Sequence, residues 1–300
     1  MIDEFKKVLF IVNKFSGSKY FSDLEQKIIA ACERADVEAS ISFTEHRGHA
    51  TELAAAAVKS SNFSAIVAVG GDGTVNEVAT GMLKSAVPMG IVPKGSGNGL
   101  ARHLGIPMDI PQSLEILFKS QLIDIDTFRL NGKLSLNVSG IGFDGHVANL
   151  FGKEKKRGLP GYAKVTLSEF LQFREFDAQV VMGERTENRK TFIIAIANSS
   201  QYGNNARIAP AASVCDGILH ICFLKKVPPY RLDFLYSFFS GTVGQNQYCE
   251  IMETKEMKIL LDRPMAFHID GEPCGSSEEF HVMIEPRTLK MLVPPSSLRY

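Results

Sequence analysis

Two stretches of this chain run from a buried-strand pattern through a glycine-rich turn directly into a helix pattern. The first is Ala65-Ile-Val-Ala-Val69 followed by Gly70-Gly-Asp-Gly-Thr74; the second is Met89-Gly-Ile-Val92 followed by Pro93-Lys-Gly-Ser-Gly-Asn-Gly99. Beyond the first turn Val75, Val78, Ala79, Met82 and Leu83 recur at the spacing of one helix face. The same rhythm precedes them. Val8–Val12 reads as a strand entering the turn-like Asn13-Lys-Phe-Ser-Gly17, residues 19–35 as a helix, Glu38–Phe43 as a strand, and His49–Ser60 as an alanine-rich helix. Strands that alternate with helices must lie parallel and be covered by those helices. The first third therefore predicts an α/β domain.

After about residue 126 the rhythm changes. Leu134–Val138, Gln179–Met182, Thr191–Ala197, Ile218–Leu224, Lys258–Leu261, Ala266–Ile269 and Phe280–Ile284 read as strands joined mostly by turns. Helical interruptions are expected at 161–173 and 230–240. This part predicts a β-rich sandwich domain with its boundary near Thr127. The charge run Lys153-Glu-Lys-Lys-Arg157 reads as a solvated loop.

Composition narrows the class. At 300 residues, 45% hydrophobic and 22% charged, the chain can bury a sizeable core. Lysine plus arginine and aspartate plus glutamate each number 33, so no net charge draws it to nucleic acid or anionic membranes. The five cysteines, Cys32, Cys215, Cys222, Cys249 and Cys274, form no CxxC pair, which argues against a zinc site or disulfide framework. The first residues mix charge into an incipient strand rather than forming a signal peptide. No apolar run approaches the roughly 18 residues of a membrane span. The expected setting is the cytosol.

Glycines at the end of a buried parallel strand let backbone N–H groups converge on an anion, and the next helix adds its dipole. Two such turns at successive strand ends share one edge of the sheet, the edge where open α/β sheets bind ligands. The spacing is neither a Rossmann GxGxxG nor a P-loop with its lysine, and such turns also occur without ligands. Asp72 is the odd residue. A carboxylate beside a polyphosphate is repelled unless a cation stands between them, or unless the carboxylate accepts helix N–H groups. Thr74 and Glu77 also read as a Thr-x-x-Glu capping box.

Taken together, GGDGTVNEV, PKGSGNGLARHLGIP and the late Ile269-Asp-Gly-Glu-Pro273 resemble the diacylglycerol kinase catalytic-domain family, which includes soluble bacterial lipid kinases, sphingosine kinases and ceramide kinases. Thr44-Glu-His-Arg-Gly-His-Ala50 and Asn198–Pro210 followed by Ala211-Ala-Ser-Val-Cys-Asp-Gly-Ile-Leu219 extend the resemblance, which covers the chain from about residue 8 to the end. It implies an NAD-kinase-like α/β nucleotide domain of residues 1–127 plus 287–300 and a β-sandwich domain of residues 128–286, with the active site in the cleft. It further implies that Thr44, Gly70, Gly71, Asp72, Gly73, Thr74, Asn76, Gly95 and Ser96 contact ATP. Glu272 would be the base that deprotonates the lipid hydroxyl, and Asp72 would hold the magnesium–phosphate unit or itself be the base. A second, structural magnesium would take Asp216 and carbonyls near Ser213 and Ile218, with Asp126 in the acidic network. Transient membrane contact and a homodimer are also implied. From the residues alone, Asp270-Gly271 is simply a hairpin-turn signal, and Asp216-Gly217 a turn before a strand. One departure stands out: the family's early turn usually has proline after the asparagine, where this chain has Lys14.

The resulting expectation is ATP-dependent, magnesium-assisted phosphorylation of a lipid alcohol such as diacylglycerol, a sphingoid base or a ceramide. An NAD kinase-like enzyme and a non-catalytic nucleotide sensor are the rivals. Phe234-Leu-Tyr-Ser-Phe-Phe239 is expected either to line a greasy mouth or to sit in the core. Asp144 is expected at a turn, or facing the acceptor headgroup. His46, His49 and His268 are expected to be structural or exposed.

Overall fold

The computed structural model describes residues 5–17, 23–152, 166 and 168–295. The chain divides into two compact units, Met1–Thr127 with Ser213–Asp216 and Pro286–Tyr300, and Phe128–Ala212 with Gly217–Glu285. Nothing local in the sequence around Ser213–Asp216 signals that this short segment packs with the first unit.

In the first unit, strands β1 (Lys7–Val12), β2 (Glu38–Phe43), β3 (Ala65–Gly70) and β4 (Met89–Pro93) alternate with helices α1 (Leu24–Arg34), α2 (His49–Ser60) and α3 (Asp72–Met82). Short helices α4 (Gly99–His103) and α5 (Ile110–Leu117) follow. β1 pairs in parallel with β2 on one side and β3 on the other, and β4 extends the sheet beyond β3. The final strand of the chain joins β4, also in parallel, at Met291 opposite Met89. Val8, Phe10, Val12, Val67, Val69 and Val92 pack against Leu24, Ile28 and Leu114. Burying each such side chain stabilises the fold by about 1.5–3 kcal/mol. Having left β2 at one side of β1, the chain re-enters on the other side as β3. Strand order therefore reverses between β1 and β3, and the crevice beyond their carboxyl ends is where open α/β sheets take ligands.

Helix α5 was not expected from the pattern, although Asp109 caps it through Gln112 N (3.1 Å) and Pro111 sits in its first turn. His103, at the end of α4, has its pKa lowered to about 4 by burial of the ring. The unfolded chain binds a proton at this ring below about pH 6.5, whereas the folded chain does not until about pH 4. Stability from this residue is thus fully present above the upper value and falls as pH drops toward the lower one, by at most about 3 kcal/mol. Urea melts between pH 7.5 and pH 4.5 should show this acid limb flattened in His103→Gln; an unchanged limb would assign the acid sensitivity elsewhere.

The second unit is antiparallel. It contains the end of β5 (Gln121–Leu130), then β6 (Lys133–Ser135), β7 (Val138–Gly142), α6 (Phe143–Gly152), β8 (Phe176–Met182), β9 (Arg185–Thr191) and β10 (Ile193–Ala197). The short β11 (Gln201–Gly203) and β12 (Ala206–Arg207) form a separate ribbon before β13 (Leu219–Leu224), α7 (Leu232–Ser240), β14 (Cys249–Thr254), β15 (Glu256–Ile269) and β16 (Glu272–Val293). The main order is β14-β13-β10-β7-β15-β16, with the β8–β9 hairpin attached to β15. Ile141, Ile194, Ile196, Leu219, Ile221, Ile259, Phe267, Phe280 and Val282 form its core. Lys258–Leu261 and Ala266–Ile269 belong to one long strand, broken in register between Leu260 and Met265, where Pro264 cannot donate to a ladder. β9 was missed because its charged sequence alternates only weakly against solvent. The expected helix at 161–173 lies partly, and the charge run at 153–157 wholly, outside the described residues.

On α7 the aromatic segment divides between the two expectations. Phe234 and Ser237 are buried, with Phe234 edge-on to Phe238 and Tyr248, whereas Leu232, Leu235, Tyr236 and Phe239 stand exposed on successive turns. Among the described residues no helix is long and apolar enough to cross a membrane.

Candidate functional site

Three turns meet at the carboxyl ends of β1, β3 and β4 in the first unit. Asn13 closes the first: its backbone N–H donates to Val69 O (3.0 Å), its side-chain oxygen accepts Phe15 N–H (2.9 Å), and its Nδ2 donates to Thr74 Oγ1 (3.1 Å). That last bond ties β1 to the GGDGT turn. The two glycine turns touch each other directly. A Cβ added to Gly95 would lie 2.5 Å from Gly71 Cα, and one added to Gly71 would lie 3.1 Å from Gly95 Cα. Glycine is required at both because backbone meets backbone. Asn98, in the left-handed region at φ 52°, shapes the second turn by accepting Gly95 N–H (2.9 Å) and donating to Gly95 O (2.8 Å).

Asp72 opens α3, and its Oδ1 accepts the N–H of Gly99, the first residue of α4, at 2.8 Å. Of the two ways a carboxylate can sit in such a turn, this shows the second: it satisfies a helix N–H group. An aspartate carboxylate is a hard oxygen donor, a chemistry that also fits a magnesium ion. Thr44 directly follows β2, with its N–H on Val12 O (3.0 Å); Asn76 lies one turn into α3; Ser96 is exposed on the second glycine turn. All the residues expected to contact ATP thus stand at the carboxyl edge of β2, β3 and β4.

The capping-box expectation fails. The N-cap of α3 is Gly71, without a side-chain cap, and Thr74 is engaged by Asn13. Glu77 instead caps the neighbouring helix, accepting Gly48 N–H (2.9 Å) and Ala50 N–H (3.3 Å) at the start of α2. Lys94, which no local sequence signal marks, is only 5% exposed, and its ammonium faces the carbonyls of Asn13, Lys14 and Ser16. Burial draws its pKa below the ordinary lysine value.

Elsewhere in this unit Asp126 is fully buried, with its Oδ1 accepting Arg287 N–H (2.8 Å) and its own N–H donating to Val214 O (2.6 Å). Cys215 Sγ–H donates to Asp124 O (3.4 Å), and Cys215 N–H to Ser213 Oγ (3.2 Å). Burial, followed by the charges of Asp126, Asp216 and Asp124, pushes the Cys215 thiol up to about 11. Asp124 is itself paired, its Oδ1 accepting the Lys290 ammonium (3.0 Å). Ile218 belongs to the second unit. His46, His49 and Glu52 also bring ligand atoms within 4.8 Å of one another. The Nδ1 of His49, however, accepts Glu45 N–H (3.1 Å) and so has its lone pair engaged.

Within the second unit, Asp270 and Gly271 both have positive φ (48° and 87°), the requirement of a type I′ hairpin, and Ile269 pairs with Glu272 across it. Asp270 does more than turn the chain. Its buried carboxylate accepts Ser135 Oγ–H (2.7 Å) and the N–H groups of Leu136 and Asn137 (both 3.0 Å), which pins the hairpin end to the segment between β6 and β7. Glu272 is exposed at the first position of β16. His268 supports the turn from behind: its Nδ1 accepts Gly271 N–H (3.1 Å), and its Nε2 lies 3.3 Å from Asp144 Oδ2, which also accepts Tyr202 Oη–H (3.1 Å). Burial and the Asp144 charge raise the Tyr202 hydroxyl well above its ordinary pKa. Asp144 was expected at a turn; it lies instead in the first turn of α6, and a Cβ on Gly140 would fall 1.7 Å from its Oδ2.

Comparison with known proteins gives a consistent result. Residues 7–130 match the family model "Diacylglycerol kinase catalytic domain", and residues 137–293 match "YegS C-terminal NAD kinase beta sandwich-like domain". A "Probable lipid kinase YegS-like" of Shewanella frigidimarina is 25% identical over 91% of this chain and 90% of its own length. The "Diacylglycerol kinase" of Bacillus subtilis is 26% identical over 90% and 91%. In fold, the crystal structure of a putative diacylglycerol kinase from Bacillus anthracis superposes with a TM-score of 0.78 at 23% identity, covering 99% of both chains.

Proposed function

Because this chain belongs to the lipid kinase family that joins a diacylglycerol kinase catalytic domain to a YegS-type C-terminal domain, we propose that it transfers the γ-phosphate of ATP to a lipid hydroxyl. The observation that carries the nucleotide half is the pair of interlocked glycine turns at the carboxyl ends of β3 and β4, with Asp72 bonded across them. Diacylglycerol is the first acceptor to test, on the strength of the name of the Bacillus subtilis relative. Sphingoid bases and ceramides offer the same chemistry, a hydroxyl beside a long chain.

In this reading the turns of residues 70–74 and 95–99, with Thr44, Asn76 and Ser96, orient the polyphosphate. Asp72 would hold magnesium bound with the nucleotide, and that ion would offset the charge of the β- and γ-phosphates. Glu272 takes the proton of the acceptor hydroxyl as that oxygen bonds to the γ-phosphorus and the bond to ADP breaks. Asp72 is the rival base. Its bond to Gly99 N–H favours a holding role, because it fixes the carboxylate between the two glycine turns. Asp216, with Asp126 and carbonyls near Ser213 and Ile218, would hold a second, structural magnesium, a reading that follows from the family resemblance alone. The exposed Leu232, Leu235, Tyr236 and Phe239 support a transient contact with a lipid surface.

The test is transfer from labelled ATP with magnesium to an extracted lipid mixture, with NAD offered in parallel and products resolved by mass. A phosphorylated lipid is expected. Phosphorylated NAD alone, or no transfer to any lipid, would overturn the reading in favour of an NAD kinase or a nucleotide sensor. Asp72→Asn keeps an oxygen for Gly99 N–H but loses the charge. It should stay folded and lose transfer on the order of 10²-fold; a magnesium titration like that of the wild type would remove Asp72 from the metal role.

A further inference from the structure

We infer that Lys94 is a positioning residue of the nucleotide site, which acts by holding the Asn13–Gly17 turn against the GGDGT turn rather than by touching phosphate. The inference rests on the nucleotide reading above. A lysine inside a glycine-rich phosphate turn would ordinarily be taken for a phosphate ligand, and here the geometry argues otherwise. An ammonium has three N–H donors, and this one faces three carbonyls: Ser16 O at close range, Lys14 O at 3.3 Å and Asn13 O at 3.5 Å. The side chain starts at the end of β4, where Lys94 N–H donates to Gly70 O (2.8 Å), and reaches past β3 to the turn that follows β1. One residue therefore stitches three adjacent strand ends together.

The turn is shaped to receive it. Gly17 has φ 75°, and a Cβ there would lie 2.3 Å from Lys94 O, so the turn rests directly on the lysine backbone. Ser16 Oγ–H closes the turn internally on Asn13 O (3.0 Å). From Asn13 the linkage continues through Nδ2 to Thr74 Oγ1, inside the first helical turn after the glycines. Carbonyls crowded at one point repel one another unless a cation gathers them, and a compact ammonium does this where a planar guanidinium fits less well. Without it Asn13 would lose its fixed orientation, and with it the contact that sets Thr74.

The experiment compares the full-length wild type with Lys94→Met, Asn13→Ala and the double variant, by calorimetric titration with magnesium-ATP and by amide exchange at Phe15 and Ser16. Lys94→Met should weaken ATP binding about ten-fold, the scale of one lost charge-assisted hydrogen bond. It should also speed exchange at both amides. The double variant should bind no more weakly than the weaker single one, because both substitutions break the same linkage. Lys94→Arg, which keeps a cation and donors, should recover part of the affinity. Wild-type exchange and affinity in Lys94→Met would overturn the inference, as would losses that multiply in the double variant. Should Lys94→Met fail to fold, the ammonium resonance of the wild type decides: slow hydrogen exchange is expected, and fast exchange overturns the inference. A wild type that binds no ATP would defeat the nucleotide reading, while the exchange comparison would still decide whether Lys94 holds the turn.

Discussion

Replacing Glu272 by Gln is expected to abolish phosphoryl transfer while leaving ATP binding and folding in place. Gln matches Glu in shape and differs in being unable to take a proton, so the change isolates the proposed role. The hairpin that presents the residue depends on Asp270, whose carboxylate holds three donors, and on His268 behind Gly271. Neither is altered by the substitution. Residue 272 is exposed, so stability should move little. Loss of a general base costs about 10²–10⁴-fold in rate, or roughly 3–5 kcal/mol of barrier. Single-turnover transfer from labelled ATP, read beside calorimetric ATP binding, measures both halves. Turnover within a few-fold of wild type would shift the base assignment to Asp72.

Gly95→Ala is expected to be nearly as damaging for a purely steric reason. The added methyl would lie 2.5 Å from Gly71 Cα and 2.7 Å from Asn98 Oδ1. The first neighbour is backbone and cannot rotate away. The second is the atom that accepts Gly95 N–H, so a shift also breaks the bonds by which Asn98 shapes the turn. Overpacking of this kind costs about 1–3 kcal/mol of stability, and the two glycine turns would be forced apart. Urea melts together with ATP titration should show both losses. Gly97→Ala should be milder, because its methyl meets only the Asp72 carboxylate, at 3.1 Å. Wild-type ATP affinity in Gly95→Ala would separate the contact between the turns from nucleotide binding.

Much of the first unit was legible because its signals are local. Apolar runs of strand length, glycine at the strand ends and a 3.6-residue period in the following helices all lie within single windows. The second unit was less so. β9 carries charge because one face meets solvent, and β15 reads as two strands because Pro264 interrupts its pairing. The Thr-x-x-Glu spacing at Thr74 and Glu77 is a valid capping signal, yet both side chains found partners on other elements. A local pattern cannot exclude a better partner brought in by the fold.

By itself the sequence determined the alternation of β1–β4 with α1–α3, the places where glycine turns interrupt it, and the change to a strand-rich second part. The tertiary structure decided what those residues hold. Sheet order puts β3 between β1 and β4, and so brings Lys94 to the carbonyls of a turn about eighty positions earlier in the chain. Packing of the two glycine turns brings Asp72 to Gly99 N–H, twenty-seven residues away. Hydrogen-bond partners at such separations follow from strand order and turn packing, which residue propensity and spacing do not encode.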